Sequence, residues 1–168
     1  MILLTTSDFS GYYGIATNQA SLPLLQEYID MFEASYIKRI LGIELGELFI
    51  ADNSPARFQF ILDPFIKQDE NCDTIYESKG MKDILAALVF YEYISSTQVK
   101  SAQAGVITNQ AEVSNIGSPE DACRFGEVKW NGALGSIEAI QWWCGYEDEI
   151  TYPEYSGVYF RPKYSALL

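Results

Sequence analysis

Met81-Lys82-Asp83-Ile84-Leu85-Ala86-Ala87-Leu88-Val89-Phe90-Tyr91-Glu92-Tyr93 is the stretch on which the fold turns. From Ile84 to Tyr91 it is apolar nearly all round. A helix without a polar face belongs at the centre of a helical domain, covered on several sides. The run is far too short to span a bilayer, which takes about 20 apolar residues. It therefore predicts a central buried helix over residues 81–96, with helices on either side in sequence to cover it.

On the N-terminal side, Leu25, Ile29, Phe32, Tyr36 and Ile40 recur at helical spacing and form one apolar stripe. Ser21 is placed to cap this helix, and Pro23 sits in its first turn, where a missing N–H costs nothing. Glu27, Asp30 and Glu33 come early and Lys38 and Arg39 late, an order that suits the helix dipole. Gly42 after Leu41 reads as the stop. A short second helix is expected over residues 43–51, and Asp52-Asn53-Ser54-Pro55 ends it and starts a third, over residues 56–62, which Pro64 closes. Residues 1–20 have no period, since Gly11, Gly14 and Asn18 interrupt it, and read as an N-terminal arm.

On the C-terminal side, Lys67-Gln68-Asp69-Glu70-Asn71 reads as a surface loop and Thr74-Ile75-Tyr76 as a short strand ending at Gly80. Residues 99–117 read as an extended excursion, a β-hairpin or paired loop flanking Asn109-Gln110. Ser118-Pro119-Glu120-Asp121 has the signature of a helix start. This fifth helix runs to Cys144 and stops at Gly145. Gly132, Ala133, Gly135, Ser136 and Ala139 make part of it slim, which permits close helix approach, while Asn131-Gly132 could equally kink or break it. From Glu147 onward no helical period remains. Tyr152, Tyr155, Tyr159, Phe160 and Tyr164 are strung between Pro153, Gly157 and Pro162. So many rings are costly to leave in water, so the tail either packs on its own domain or docks on another chain; docking is the favoured reading. The expected chain is mainly α: a bundle of about five helices over residues 21–146 with the excursion, an arm at 1–20 and an aromatic arm at 147–168.

Composition narrows the function. With 11 basic residues against 23 acidic ones the net charge is −12, and Lys38-Arg39 is the only adjacent basic pair. Duplex binding needs clustered cations, so specific DNA binding is not expected. The chain has no His, which removes the usual general base, the usual zinc ligand and the middle member of most nucleophilic triads. Cys72, Cys123 and Cys144 are odd in number and lack metal-ligand spacing, as reduced thiols of a cytosolic protein would be. The first residues lack the basic and long apolar regions of a signal peptide. The high aromatic content, with 12 Tyr, suits both a core and a protein–protein interface.

No phosphate-binding loop, dinucleotide glycine motif, nucleophile elbow or metal-ligand cluster is present. Glu44 and Glu47 stand one helical turn apart, as an acid–base pair of a glycosidase can, but two acids on an exposed helix face is the plainer reading. Glu92 interrupts an apolar run. A buried carboxylate of raised pKa can be catalytic; more commonly such a Glu points at a partner or pairs with a Lys or Arg of a neighbouring element. The chain reads as no enzyme, without cofactor or metal.

One resemblance emerges from the order of elements. Leu3-Leu4-Thr5-Thr6-Ser7-Asp8-Phe9 leads to an amphipathic helix carrying Leu25, Tyr28, Ile29 and Tyr36. That helix closes on Ile40-Leu41-Gly42-Ile43-Glu44-Leu45, with Leu48-Phe49-Ile50 after it. This resembles the opening of the head–tail connector (adaptor) proteins of tailed bacteriophages, where a start of the type Leu-Thr-x-x-Asp-Phe precedes a helix ending near a Leu-Gly pair. The apolar fourth helix, the Gly105-Val106-Ile107 excursion with Glu112 and Ser114, and the long fifth helix continue the likeness over residues 1–146. It is closest to ring proteins of crAss-like phages of Bacteroides-type gut bacteria. The resemblance implies a structural virion subunit, made in the host cytoplasm and located in the neck. Copies form a closed ring, typically twelve-fold, beneath the portal protein; the ring extends the DNA channel and docks further neck or tail proteins. DNA passes without specific binding, and no membrane is involved. The aromatic tail has no counterpart in that family; from the residues themselves, the expected interface is Val106, Ile107, Val113 and Ile116 in the excursion and Tyr152, Tyr155, Tyr159, Phe160, Arg161 and Tyr164 in the tail. Two alternatives stand beside it: a helical adaptor or assembly factor that forms no ring, and a small hydrolase built on Glu44, Glu47 or Glu92.

Overall fold

The computed structural model describes residues 3–15, 21–69, 71–103, 119–148 and 150–164. Five α-helices dominate: α1 (Ser21–Leu41), α2 (Ile43–Ala51), α3 (Gln59–Leu62), α4 (Met81–Gln103) and α5 (Pro119–Trp142). The mainly helical fold expected from the apolar periodicity is what forms. Between α3 and α4, β1 (Phe65–Gln68) and β2 (Ile75–Ser78) make a two-stranded antiparallel hairpin, with Phe65 opposite Ser78 and Gln68 opposite Ile75. Thr74-Ile75-Tyr76 thus leads into a strand as read, but Lys67 and Gln68, read as loop, belong to its partner.

Residues Ile84 to Phe90 are all buried. The helix is central because α5 covers one side most extensively, α1 a second, and the N-terminal turn Thr6–Phe9 and α3 add smaller contacts. Leu88 is wholly buried. Leu88→Ala is expected to cost about 2–5 kcal/mol in a urea or thermal unfolding experiment. A loss under about 0.5 kcal/mol, the range of surface substitutions, would contradict the central placement of α4.

The joint between α1 and α2 is Gly42, whose φ of +91° is open to glycine and strained for other residues. The reading that α1 stops at Leu41-Gly42 holds. α4 does not stop at Ser96 but continues to Gln103, so residues 99–103 are helix rather than excursion: Thr97 Oγ1 donates back to the Tyr93 carbonyl at 2.9 Å instead of breaking the turn. Val106, Ile107, Val113 and Ile116 lie outside the described residues. α5 is continuous through Asn131-Gly132, and a π-type turn over Trp143–Glu147 ends it.

Both arms read from the sequence are instead part of the domain. In the N-terminal segment Leu4, Phe9, Tyr13 and Ile15 are buried. Thr5 and Asp8 form a reciprocal capping box around the turn that follows, and Asp8 also meets Lys82 of α4 at 2.9 Å. The Leu-Thr-x-x-Asp-Phe pattern is therefore a capped turn that plants Leu4 and Phe9 in the core. Burial pushes the Asp8 carboxyl upward, but Lys82 and the Thr5 hydrogen bonds outweigh it and hold it below the usual carboxylate range.

The C-terminal segment straps back over α1 and α5. Ser156 N–H donates to the Leu41 carbonyl at 3.1 Å and Val158 N–H to the Arg39 carbonyl at 3.0 Å, so the strap satisfies two of the orphan carbonyls at the end of α1. Gln141 of α5 stitches the same place, donating to the Ile40 and Val158 carbonyls at 3.1 and 2.9 Å. Asn131 and Lys163 exchange two hydrogen bonds of 2.8 Å. Contact is so close at Gly157 that an added Cβ would overlap the Ile40 carbonyl oxygen.

Candidate interaction surfaces

The tail residues expected at an interface divide in two. Tyr152 and Phe160 are buried in their own domain. Tyr152 donates its hydroxyl to the Arg57 carbonyl, and Phe160 packs on Trp130 and Tyr36 with Arg39 over its ring at 4.5 Å. Tyr155 is half-buried against Gly145. Burial in the chain's own core corrects the expectation for Tyr152 and Phe160 as anchors on another chain. Tyr159 and Tyr164, 77% and 80% exposed, and the exposed Arg161 remain available on the strap.

Other large apolar side chains are exposed at sites the sequence did not single out: Ile43 and Leu48 on α2, Ile66 and Ile75 on the hairpin, Tyr12 in the N-terminal segment and Val128 on α5. Ile66 and Ile75 stand out on the short strands because the hairpin packs on α5 through the opposite-facing residues: Tyr76 stacks on Trp142 with centroids 4.3 Å apart.

Of the slim residues of α5, Ala133, Ser136 and Ala139 are buried, while Gly132 and Gly135 are exposed. A Cβ added at Gly132 or Gly135 would meet nothing within 4 Å. Two adjoining depressions share Lys79 and Gly132. One, of about 320 Å³, lies between Tyr12-Tyr13, Asp83 and Lys129. The other, of about 350 Å³, lies between Ile75–Glu77, Ser136 and Glu138. Together they make a groove across α5 that no described helix fills. Lys129 is only 7% exposed. Its ammonium lies 2.9 Å from the Tyr12 ring centroid and 4.5 Å from that of Phe125, and no ion pair of Lys129 is present among the described residues.

The carboxylates considered for chemistry are separated. Glu44 and Glu47 are both exposed, and Glu47 pairs with Lys38 at 2.9 Å across a solvated surface. Glu92 is half-buried and accepts the Tyr36 hydroxyl at 2.5 Å. Burial first, and then the Glu92 hydrogen bond and charge, push the Tyr36 hydroxyl well up, so it stays a proton donor to Glu92. This is a structural pair between α1 and α4. Among the described residues no three Cys, Asp or Glu side chains converge as metal ligands would, and no helix is long and apolar enough to cross a membrane.

Glu33 differs from its reading as a dipole-complementing acid. It is buried and its Oε1 accepts the Leu3 N–H at 2.5 Å, tying the N-terminal segment to α1. Its Oε2 has no partner among the described residues. Burial raises its pKa above 4.5 despite opposing backbone hydrogen bonds from Leu3 and Leu4. With the folded value above the unfolded one, its contribution is fully present below about pH 4.5 and is lost as pH rises through the folded value. Glu33→Gln should remove this loss: between pH 4 and pH 7 the thermal midpoint of the variant should gain on that of the wild type. A wild type that gains on the variant over that range would contradict the assignment.

Compared with family models, with curated proteins and with solved structures, the chain matches none.

Proposed function

We propose that this chain is a structural subunit of a phage head–tail connector: it assembles with its own copies into a ring beneath the portal, extends the DNA channel and offers a platform to neck or tail proteins. The observation that carries the reading is the spread of exposed large apolar side chains over separate elements, Ile43 and Leu48 on α2, Ile66 and Ile75 on the hairpin, Tyr159 and Tyr164 on the strap. A ring subunit needs two different self-contacting faces and further surface for the tiers above and below.

Three further features support it. The capped turn at Thr5-Asp8 and the Leu41-Gly42 joint are the parts of the chain that resemble connector proteins, and both are built into the domain. The carboxylates have structural or solvated surroundings. The acidic charge of −12 suits a channel wall that DNA slides past without being held. The test is negative-stain imaging of the full chain mixed with its cognate portal. Closed rings seated coaxially on the portal are the expected result; portal particles with no added density would overturn the reading.

A further inference from the structure

The groove on α5 lies among the parts of the molecule that the fold leaves unfilled. Its floor is Gly132 and Gly135, over which none of the described residues packs. A small-residue floor alone is no site. The second observation is Lys129, which lines one end of the groove, is more than nine-tenths buried, and has its ammonium held against aromatic faces with no ion pair among the described residues. Desolvating an ammonium is costly, and ring faces return only part of the lost hydration. Lys79 adds a second positive charge at this end, partly offset by Asp83. Glu77 and Glu138 make the far end acidic. What fits the Lys129 end is a carboxylate carried on an apolar neighbourhood, since exposed Tyr12 and Val128 flank the mouth.

Such a group exists on the chain itself. On α2, Glu44 is exposed between exposed Ile43 and Leu48, and no ion pair of Glu44 is present among the described residues. α2 packs on α1 and makes no comparable contact with α5 or β2, so this ridge does not sit in its own groove. We propose that the groove receives the α2 ridge of a second copy, with Glu44 of that copy meeting Lys129 and its Ile43 and Leu48 covering Tyr12 and Val128. The contact is heterologous, ridge to groove, so each copy keeps a free groove at one side and a free ridge at the other, and repetition closes a ring or extends a filament. The proposal deepens the connector reading and rests on it.

Charge exchange tests it on the full chain by native mass spectrometry and sedimentation. Lys129→Met, which keeps bulk and removes charge, and Glu44→Gln are each expected to weaken self-association about tenfold or more. Glu44→Lys alone faces Lys129, and Lys129→Glu alone faces Glu44, so neither should assemble. Mixed, the two variants present opposite charges at both kinds of junction and should assemble again. If Lys129→Glu does not fold, Lys129→Met and Glu44→Gln decide. Wild-type assembly that none of these changes affects overturns the groove assignment and leaves the connector reading standing. A wild-type chain that stays monomeric alone and with portal overturns both. Capture of duplex DNA or of a foreign acidic peptide by the groove, without self-association, overturns the choice of occupant.

Discussion

Truncation after Tyr146 is expected to cost the isolated domain a large part of its stability. The segment it removes contributes Tyr152 and Phe160 to the core, each nearly inaccessible, and burying a large apolar side chain is worth about 1.5–3 kcal/mol. It also removes the two strap N–H groups that satisfy the Leu41 and Arg39 carbonyls and the Arg161 carbonyl that accepts from Trp130 Nε1 at 2.9 Å. Together these losses reach about 5 kcal/mol or more, a large share of a typical domain's net stability. For a chain of this size the thermal midpoint should fall by roughly 10–20 °C, or the protein should not fold. An assembly arm would behave oppositely: truncation would leave the monomer's midpoint in place and abolish only association. An unchanged midpoint would therefore restore the arm reading and contradict the strap described here.

The second large effect is expected at Trp130, where three parts of the chain meet. Its ring lies 5.1 Å from Tyr91 of α4, 5.9 Å from Tyr36 of α1 and 6.0 Å from Phe160 of the strap, centroid to centroid. It is 1% exposed. Trp130→Ala leaves a cavity that the surrounding rings cannot close without losing their own contacts, and should cost about 3–5 kcal/mol in denaturant unfolding. The loss should fall sharply in the background truncated after Tyr146 if that background folds, because part of what Trp130 holds is already gone. Full additivity of the two changes would mean that Trp130 and the strap are energetically independent.

The strap and the N-terminal segment also mark where sequence reading ran out. α1, α4 and α5 were legible because their apolar residues repeat with the helical period, and a period states both the element and its buried face. The rings of residues 147–164 and the apolar residues of 1–15 have no period. Their burial is certain to be favourable, but the same burial occurs whether the covering surface belongs to this chain or to another. What decided the matter is backbone: the C-terminal carbonyls of α1 needed donors, and Ser156 and Val158 supply them. Pro153 and Pro162 excluded a helix, and Gly157 is what lets the strap lie that close.

Lys129 was invisible for a related reason. A lysine in a long helix reads as solvated, and the ring that covers it, Tyr12, comes from an aperiodic segment distant in sequence. The signal that could have led there was the slim run from Gly132 to Ala139. It was read as a place for another helix to approach: α4 does pack on α5, and Ala133 and Ala139 are buried, while Gly132 and Gly135 stay exposed among the described residues. Glu92 was read as facing a partner or pairing with a Lys or Arg; what it meets is the Tyr36 hydroxyl, because Tyr36 counts as an apolar stripe position until its hydroxyl is placed.

The central claim is that this chain is built to repeat in a closed ring. Native mass spectrometry of the purified full chain, alone and with portal, measures it most directly. The account predicts a discrete particle whose mass is a high integral multiple of the 18.9 kDa chain, dissociating without passing through a stable dimer, as a heterologous ring does. A monomer under both conditions, or an isologous dimer that grows no further, would contradict it.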